Sequence, residues 1–160
     1  PPPPVRDPAG HGVRLPESAA LAVEPAAWRA SPAFRYGVDL FNAGYPWEAH
    51  EAWEDLWRAC PAESDGAHLL GALIKTAAAA VKASVGNPRG IARTTAKADA
   101  LLARTDMDPC FGLSPAHLRA ALARLDPDAA AAAGVLPVWL APGVRRGATA
   151  GLSSGRPPRG

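Results

Sequence analysis

The sequence is poor in the residues that would mark several common protein classes. Of its 160 residues only two are cysteine, Cys60 and Cys110, and one is methionine. Two cysteines make no disulfide framework, and sequence alone does not bring them together. Free thiols in a reducing compartment are the expectation. Lys75 and Lys82 interrupt the most apolar stretch, so no run of about 18 apolar residues exists and no membrane-spanning helix is expected. No period-two alternation persists, which argues against strands, and no repeat is present. There is no phosphate loop, no G-x-G-x-x-G, no G-x-S-x-G and no cysteine pair at zinc spacing. H-E-x-x-H is also missing, because Glu54 stands where the second histidine would be, so a zincin-type protease is not supported. The chain opens in proline rather than in an apolar core segment, which predicts no signal peptide and a soluble, cytoplasmic protein.

What is present is helix-forming. Alanine is abundant, and long alanine runs favour helix because they lose little side-chain entropy. Residues 1–30 are proline-rich and read as an irregular arm, with Trp28 available to dock on a core. A bundle domain is expected over 31–126. Ser31-Pro32 is an N-cap followed by proline at the first helical position, and opens a helix to about Ala43 that Gly44 stops. Pro46 opens the next, 46–59. Residues 63–85 form the longest and central helix, with Leu70, Leu73, Ile74, Ala77 and Val81 as its apolar stripe. Asn87-Pro88 caps another, running to about Arg104, in which Gly90 predicts tight packing. Ser114-Pro115 starts a further helix that ends before Pro127. Residues 127–142 read as an alanine-rich turn and an extended apolar segment lying on the bundle, and 143–160 as a disordered tail. The fold class is therefore all-α, a compact bundle of four to five main helices with irregular arms.

One stretch concentrates chemistry. Tyr45 to Cys60 holds three of the five tryptophans and four carboxylates, Glu48, Glu51, Glu54 and Asp55, with Arg58 as its one cation. At about 100° per residue, Ala49, Trp53, Leu56, Trp57 and Cys60 share a face that should be buried. Glu48, Glu51 and Asp55 point away. His50 and Glu54, at i and i+4, lie side by side at the margin. An imidazole and a carboxylate so placed can share one divalent metal ion, as such pairs do in helical metal sites. Glu54 can equally hold the imidazole proton and orient the ring. Two ligands do not complete a metal site, and Glu51, Asp39 and His68 are the candidate further donors. Lys75, at the edge of the central stripe, is expected to reach Glu54, as a partly buried ion pair or as a catalytic lysine. Arg89, Arg93 and Lys97 form a basic ridge at i, i+4 and i+8 that faces solvent. It lacks the aromatic interleaving that nucleic-acid binding needs, so nucleic acid is not an expected partner.

These residues carry a resemblance. Phe41-Asn42-Ala43-Gly44, Glu48-Ala49-His50-Glu51, the H-x-x-x-E-x-x-W pattern of His50, Glu54 and Trp57, and Gly86-Asn87-Pro88-Arg89-Gly90 are together similar to a family of small bacterial and archaeal helical proteins. The family is known as domain of unknown function number three hundred and nine, and the resemblance covers roughly residues 34–104. It implies an all-helical bundle and a His/Glu pair suggested to bind metal, and it implies no activity. One departure stands out. The family's central helix usually reads G-L-I-Q, whereas this chain has Ala72-Leu73-Ile74-Lys75, and a cation there repels a bound metal ion. Two functions are consistent with the sequence. One is binding of a divalent metal ion or small ligand through His50 and Glu54, with Glu51, Trp57 and Lys75 around them. The other is a non-catalytic interaction or assembly module, such as a homo-oligomer, in which the pair is structural.

Overall fold

The computed structural model describes residues 24–143. A 3-10 turn, Pro25–Ala30, leads into six α-helices: α1 Pro32–Asn42, α2 Pro46–Ala59, α3 Asp65–Ser84, α4 Pro88–Leu102, α5 Pro115–Ala123 and α6 Pro127–Ala133. No strand occurs among the described residues. The all-α expectation holds, with four long helices and two short ones.

Four of the six helix starts follow one grammar. Ser31, Asn87, Ser114 and Asp126 each precede a proline, and each side chain accepts a hydrogen bond from a backbone N–H of the first turn. Proline is tolerated there because its missing N–H would have no partner in the helix anyway. Ser64 caps α3 in the same way, through Ala67 N–H. Gly90 has a local reason. A Cβ on it would lie 2.8 Å from the Asn87 carboxamide, so its missing side chain makes room for the cap of its own helix rather than for a neighbouring one.

α1 packs on α2, α2 on α3 and α3 on α4, while α6 lies across α3 and α4. α3 is the centre, with Leu69, Leu70, Ala72, Leu73 and Ala77 wholly buried. Val81, expected inward, is half-buried. The Trp53 ring is fully enclosed and lies over Gly37 of α1, and its Nε1–H donates to the Phe34 carbonyl at 3.4 Å. Close approach of an indole to a helix backbone is possible there because Gly37 has no side chain.

The flanking segments meet at one end. Trp28 packs edge-on against Phe34, which stacks on Phe111 at 4.8 Å between ring centres. Gly143 N–H donates to the Gly112 carbonyl at 2.8 Å, and both glycines lie against the Trp28 indole. Residues 135–142 contain no helix or strand, and they bury Leu136 and Leu140. Asn42 holds them in place: its Nδ2 donates to the Leu140 carbonyl at 2.7 Å, and its Oδ1 accepts from Leu140 N–H at 3.0 Å. The expectations for residues 1–23 and for a disordered tail over 144–160 lie outside the described residues.

Candidate functional site

α2 presents two stripes. The first is Ala49, Trp53 and Leu56, all buried against α1 and α3. The second is Trp47, His50, Glu54 and Trp57, spaced three, four and three residues apart. At about 100° per residue it lies about 110° around the helix from the first. It faces outward: Trp47 is 55% exposed and Trp57 46%.

The middle of the outward stripe is tied together. His50 Nε2 lies 3.1 Å from Glu54 Oε1. A carboxylate accepts, so the proton of the neutral ring sits on Nε2; the tautomer is assigned from this bond. Nδ1 is then a bare acceptor, shielded from water and without a partner among the described residues. The Trp47 ring stacks on the imidazole, 5.6 Å between centres and 14° from parallel. Glu54 Oε2 accepts from Arg58 Nη2 at 2.6 Å, and Arg58 Nη1 donates to Asp55 at 3.0 Å. These are surface ion pairs within one helix turn, a class worth only a few tenths of a kcal/mol each.

Three sequence expectations need correction. Trp57 is not in the buried face. Its indole lies beside Gly71 of α3 and near Leu101 of α4, on the flank of the α2–α3 contact. Lys75 forms no ion pair with Glu54: both Glu54 oxygens are engaged by His50 and Arg58 instead. Cys60 is half-buried rather than part of the core. Trp47, which went unremarked in the sequence, stands next to His50. Its i, i+3 spacing to His50 was the available signal.

Among the described residues no three of His, Cys, Asp and Glu converge to complete a metal site; Glu54 is bonded to His50 and Arg58, and His50 Nδ1 is shielded from water. Glu51 is exposed and Asp39 lies on the exposed side of α1. His68 is engaged elsewhere. Its Nδ1–H donates to the Arg104 carbonyl at 3.1 Å, and its Nε2 lies 3.5 Å from Glu63 Oε2, which also pairs with Arg104. That corner joins the α2–α3 loop to the end of α4.

The thiols are equally unsuited to chemistry at neutral pH. Both touch the first turn of α3. A Cβ on Gly66 would lie 3.5 Å from Cys60 Sγ, and Cys110 Sγ is 3.6 Å from the Asp65 carbonyl oxygen. Burial pushes the Cys110 thiol up to about 12, with Asp65 and then Cys60 adding to the shift. Burial, and then Glu24, also raises Cys60. The thiolate is the reactive form of cysteine, and both sites disfavour it.

Comparison with known proteins adds a family and no activity. Residues 34–94, which run from α1 into α4, match the family model described as Domain of unknown function (DUF309). No curated protein and no solved structure matches the chain.

Proposed function

We propose that this carrier of a DUF309 domain is a non-catalytic protein-interaction module that docks its partner along the outward stripe of α2. One observation carries the reading. Two tryptophans on a single helix face, Trp47 and Trp57, are about half exposed, and ten residues of helix set them about 15 Å apart. Exposed indoles spaced this way suit binding anchors, because tryptophan offers a large apolar area at little entropic loss and dominates binding energies where it is found. Between them, His50 and Glu54 are paired with each other rather than open to a ligand. In this reading the pair fixes the ring on which Trp47 rests, and so fixes the surface.

The reading is tested by placing a photo-crosslinking amino acid at Glu51, beside the stripe, and at Ala116 on α5 as a control. Adducts from position 51 and not from 116 are expected. No adduct, or equal adducts from both, overturns it. A parallel titration with zinc, manganese and nickel addresses the other function. The expected result is no change in melting temperature. Stoichiometric binding that His50→Ala abolishes would replace the interaction reading with a metal site.

A further inference from the structure

We propose that in the free protein the outward stripe of α2 is occupied by residues 144–160 of the same chain. The proposal rests on the interaction reading above for the choice of face, and it goes beyond that reading by naming what lies on the face before a partner arrives.

Charge is the first argument. Residues 144–160 contain four cations, Arg145, Arg146, Arg156 and Arg159, and no acid. α2 has four carboxylates against Arg58 alone, and Arg58 is engaged by Glu54 and Asp55. Among the described residues Glu48 and Glu51 have no ion-pair partner. At about 100° per residue, Glu51 lies about 40° around the helix from Trp47 and about 60° from Glu54, so an uncompensated carboxylate borders the exposed indole. A guanidinium suits both groups, since it pairs with a carboxylate and stacks on an indole face. The fold already contains one such stack, Arg29 over the Trp28 ring at 4.5 Å. Proline-rich segments also dock on exposed aromatic side chains, and Arg156-Pro157-Pro158-Arg159 joins the two residue types.

The second argument is where residue 144 begins. Gly143 is held at Gly112 by its N–H. Phe111, the neighbour of Gly112, reaches the first turn of α3, where a Cβ on Gly66 would lie 3.4 Å from the Phe111 ring and 3.5 Å from Cys60 Sγ. Cys60 is the C-cap of α2, three residues beyond Trp57. Residue 144 therefore starts at the end of the bundle where α2 ends. The 17 residues from 144 to 160 reach about 50 Å when extended, at about 3.1 Å each. α2 is about 21 Å long, so the segment is long enough to round the end of the bundle and run beside the whole stripe. The C-terminal end of a helix also favours cations, and Arg145 and Arg146 come first in the segment.

The full chain tests this directly. A photo-crosslinking amino acid at position 51 should join to residues 144–160 at monomer mass, and one at position 116 should not. A four-serine chain, with Arg145→Ser, Arg146→Ser, Arg156→Ser and Arg159→Ser, changes no described residue. It should show shifted indole N–H NMR signals for Trp47 and Trp57, with that of buried Trp53 unmoved. Salt added to the unsubstituted chain should move the same two signals in the same direction, because exposed ion pairs are screened. A synthetic peptide of residues 144–160 should bind the four-serine chain about tenfold or more tightly than the unsubstituted chain, whose own segment competes. Identical indole signals in the two chains, or equal peptide affinity, overturn the proposal. So do crosslinks from position 51 to residues 1–23, which would make the other arm the occupant, and crosslinks to residues 144–160 only at dimer mass, which would make it a second copy. If position 51 captures a different protein and never residues 144–160, this proposal fails and the interaction reading stands. If it captures residues 144–160 and no other protein, the occupant stands and the interaction reading fails. If it captures nothing, both fail.

Discussion

Replacing Gly37 by alanine sets two effects of opposite sign against each other. In an exposed helix interior, alanine is better than glycine by about 1 kcal/mol, so the change would stabilise. Gly37, however, is the seat of Trp53. A Cβ there would lie 2.8 Å from Cδ1 and Cε2 of the indole, and closer still to Nε1. Carbon atoms not bonded to each other prefer about 3.5–4.0 Å, so the ring must retreat by on the order of 1 Å. It has little room, being fully buried and packed against Phe41 with ring centres 6.1 Å apart. Overpacking of this kind costs about 1–3 kcal/mol. Retreat also stretches the 3.4 Å bond from Nε1 to the Phe34 carbonyl, a loss of about 1 kcal/mol. The net expectation is destabilisation by roughly 1–3 kcal/mol. Urea unfolding followed by far-ultraviolet circular dichroism should show a midpoint about 1 M lower with an unchanged slope. Adding Trp53→Phe, which shortens the ring, should recover part of the loss, so the two changes are not additive. A Gly37→Ala protein as stable as the parent, or more so, would refute the close approach of α1 and Trp53.

Further outcomes follow from other contacts. Asn42→Ala removes both hydrogen bonds to Leu140, at about 1–3 kcal/mol for partly buried groups left unpaired. Hydrogen exchange at the Leu140 amide should accelerate to the rate of its exposed neighbours, and an unchanged rate would count against the clamp. Cys110 makes stability fall at high pH. Below its ordinary value of 9.0 the thiol is protonated in both folded and unfolded chains, and nothing is lost. Between 9.0 and about 12 the unfolded thiol ionises while the folded one does not, so the folded state loses on the order of a few kcal/mol across that window. Cys110→Ala should flatten this part of the pH profile, and an identical slope would argue against the burial of the thiol. At neutral pH, iodoacetamide should label neither cysteine quickly in the folded protein and both after unfolding, which mass spectrometry reads directly.

Helix positions were legible because their signals are local. Ser31-Pro32, Asn87-Pro88 and Ser114-Pro115 are two-residue statements, and each stands at the helix start that it announces. Trp53 and Trp57 show where periodicity stops being enough. Both fall in one angular sector, yet one is wholly enclosed and the other about half exposed. The difference lies in what each meets across the contact. Trp53 enters a gap that Gly37 leaves in α1, whereas Trp57 lies on the surface beside Gly71 and Leu101. Neither fact belongs to α2. Asn42 is a second case. It stands in a recognisable motif, but its partner, Leu140, lies 98 residues away, and no pattern along the chain connects them. Lys75 misled for a related reason. Its register suggested a reach to Glu54, but Arg58, one turn along the same helix, already holds that carboxylate.

The segments outside the matched family region sharpen the case for α2 as a surface. They carry ample apolar material, including Trp28, Phe111, Leu136, Val138 and Leu140, and much of it is packed on the core. Trp28, Phe111 and Gly143 close the end of the bundle around Phe34, and Leu140 is held at the end of α1 by Asn42. Asn42 is only four residues from Pro46, where α2 starts, and Trp47 stays exposed. A chain able to cover this face would gain about 25 cal/mol for each Å² of indole removed from water. Covering Trp47 and Trp57 within the same molecule would therefore have been favourable, and among the described residues it does not happen. Among the described residues Phe34, Trp53 and Phe111 are enclosed while Trp47, Trp57 and Trp139 stay exposed, and of these only Trp47 and Trp57 share one helix face, which is the arrangement in which an exposed aromatic pair acts as a contact surface rather than as an unfinished core.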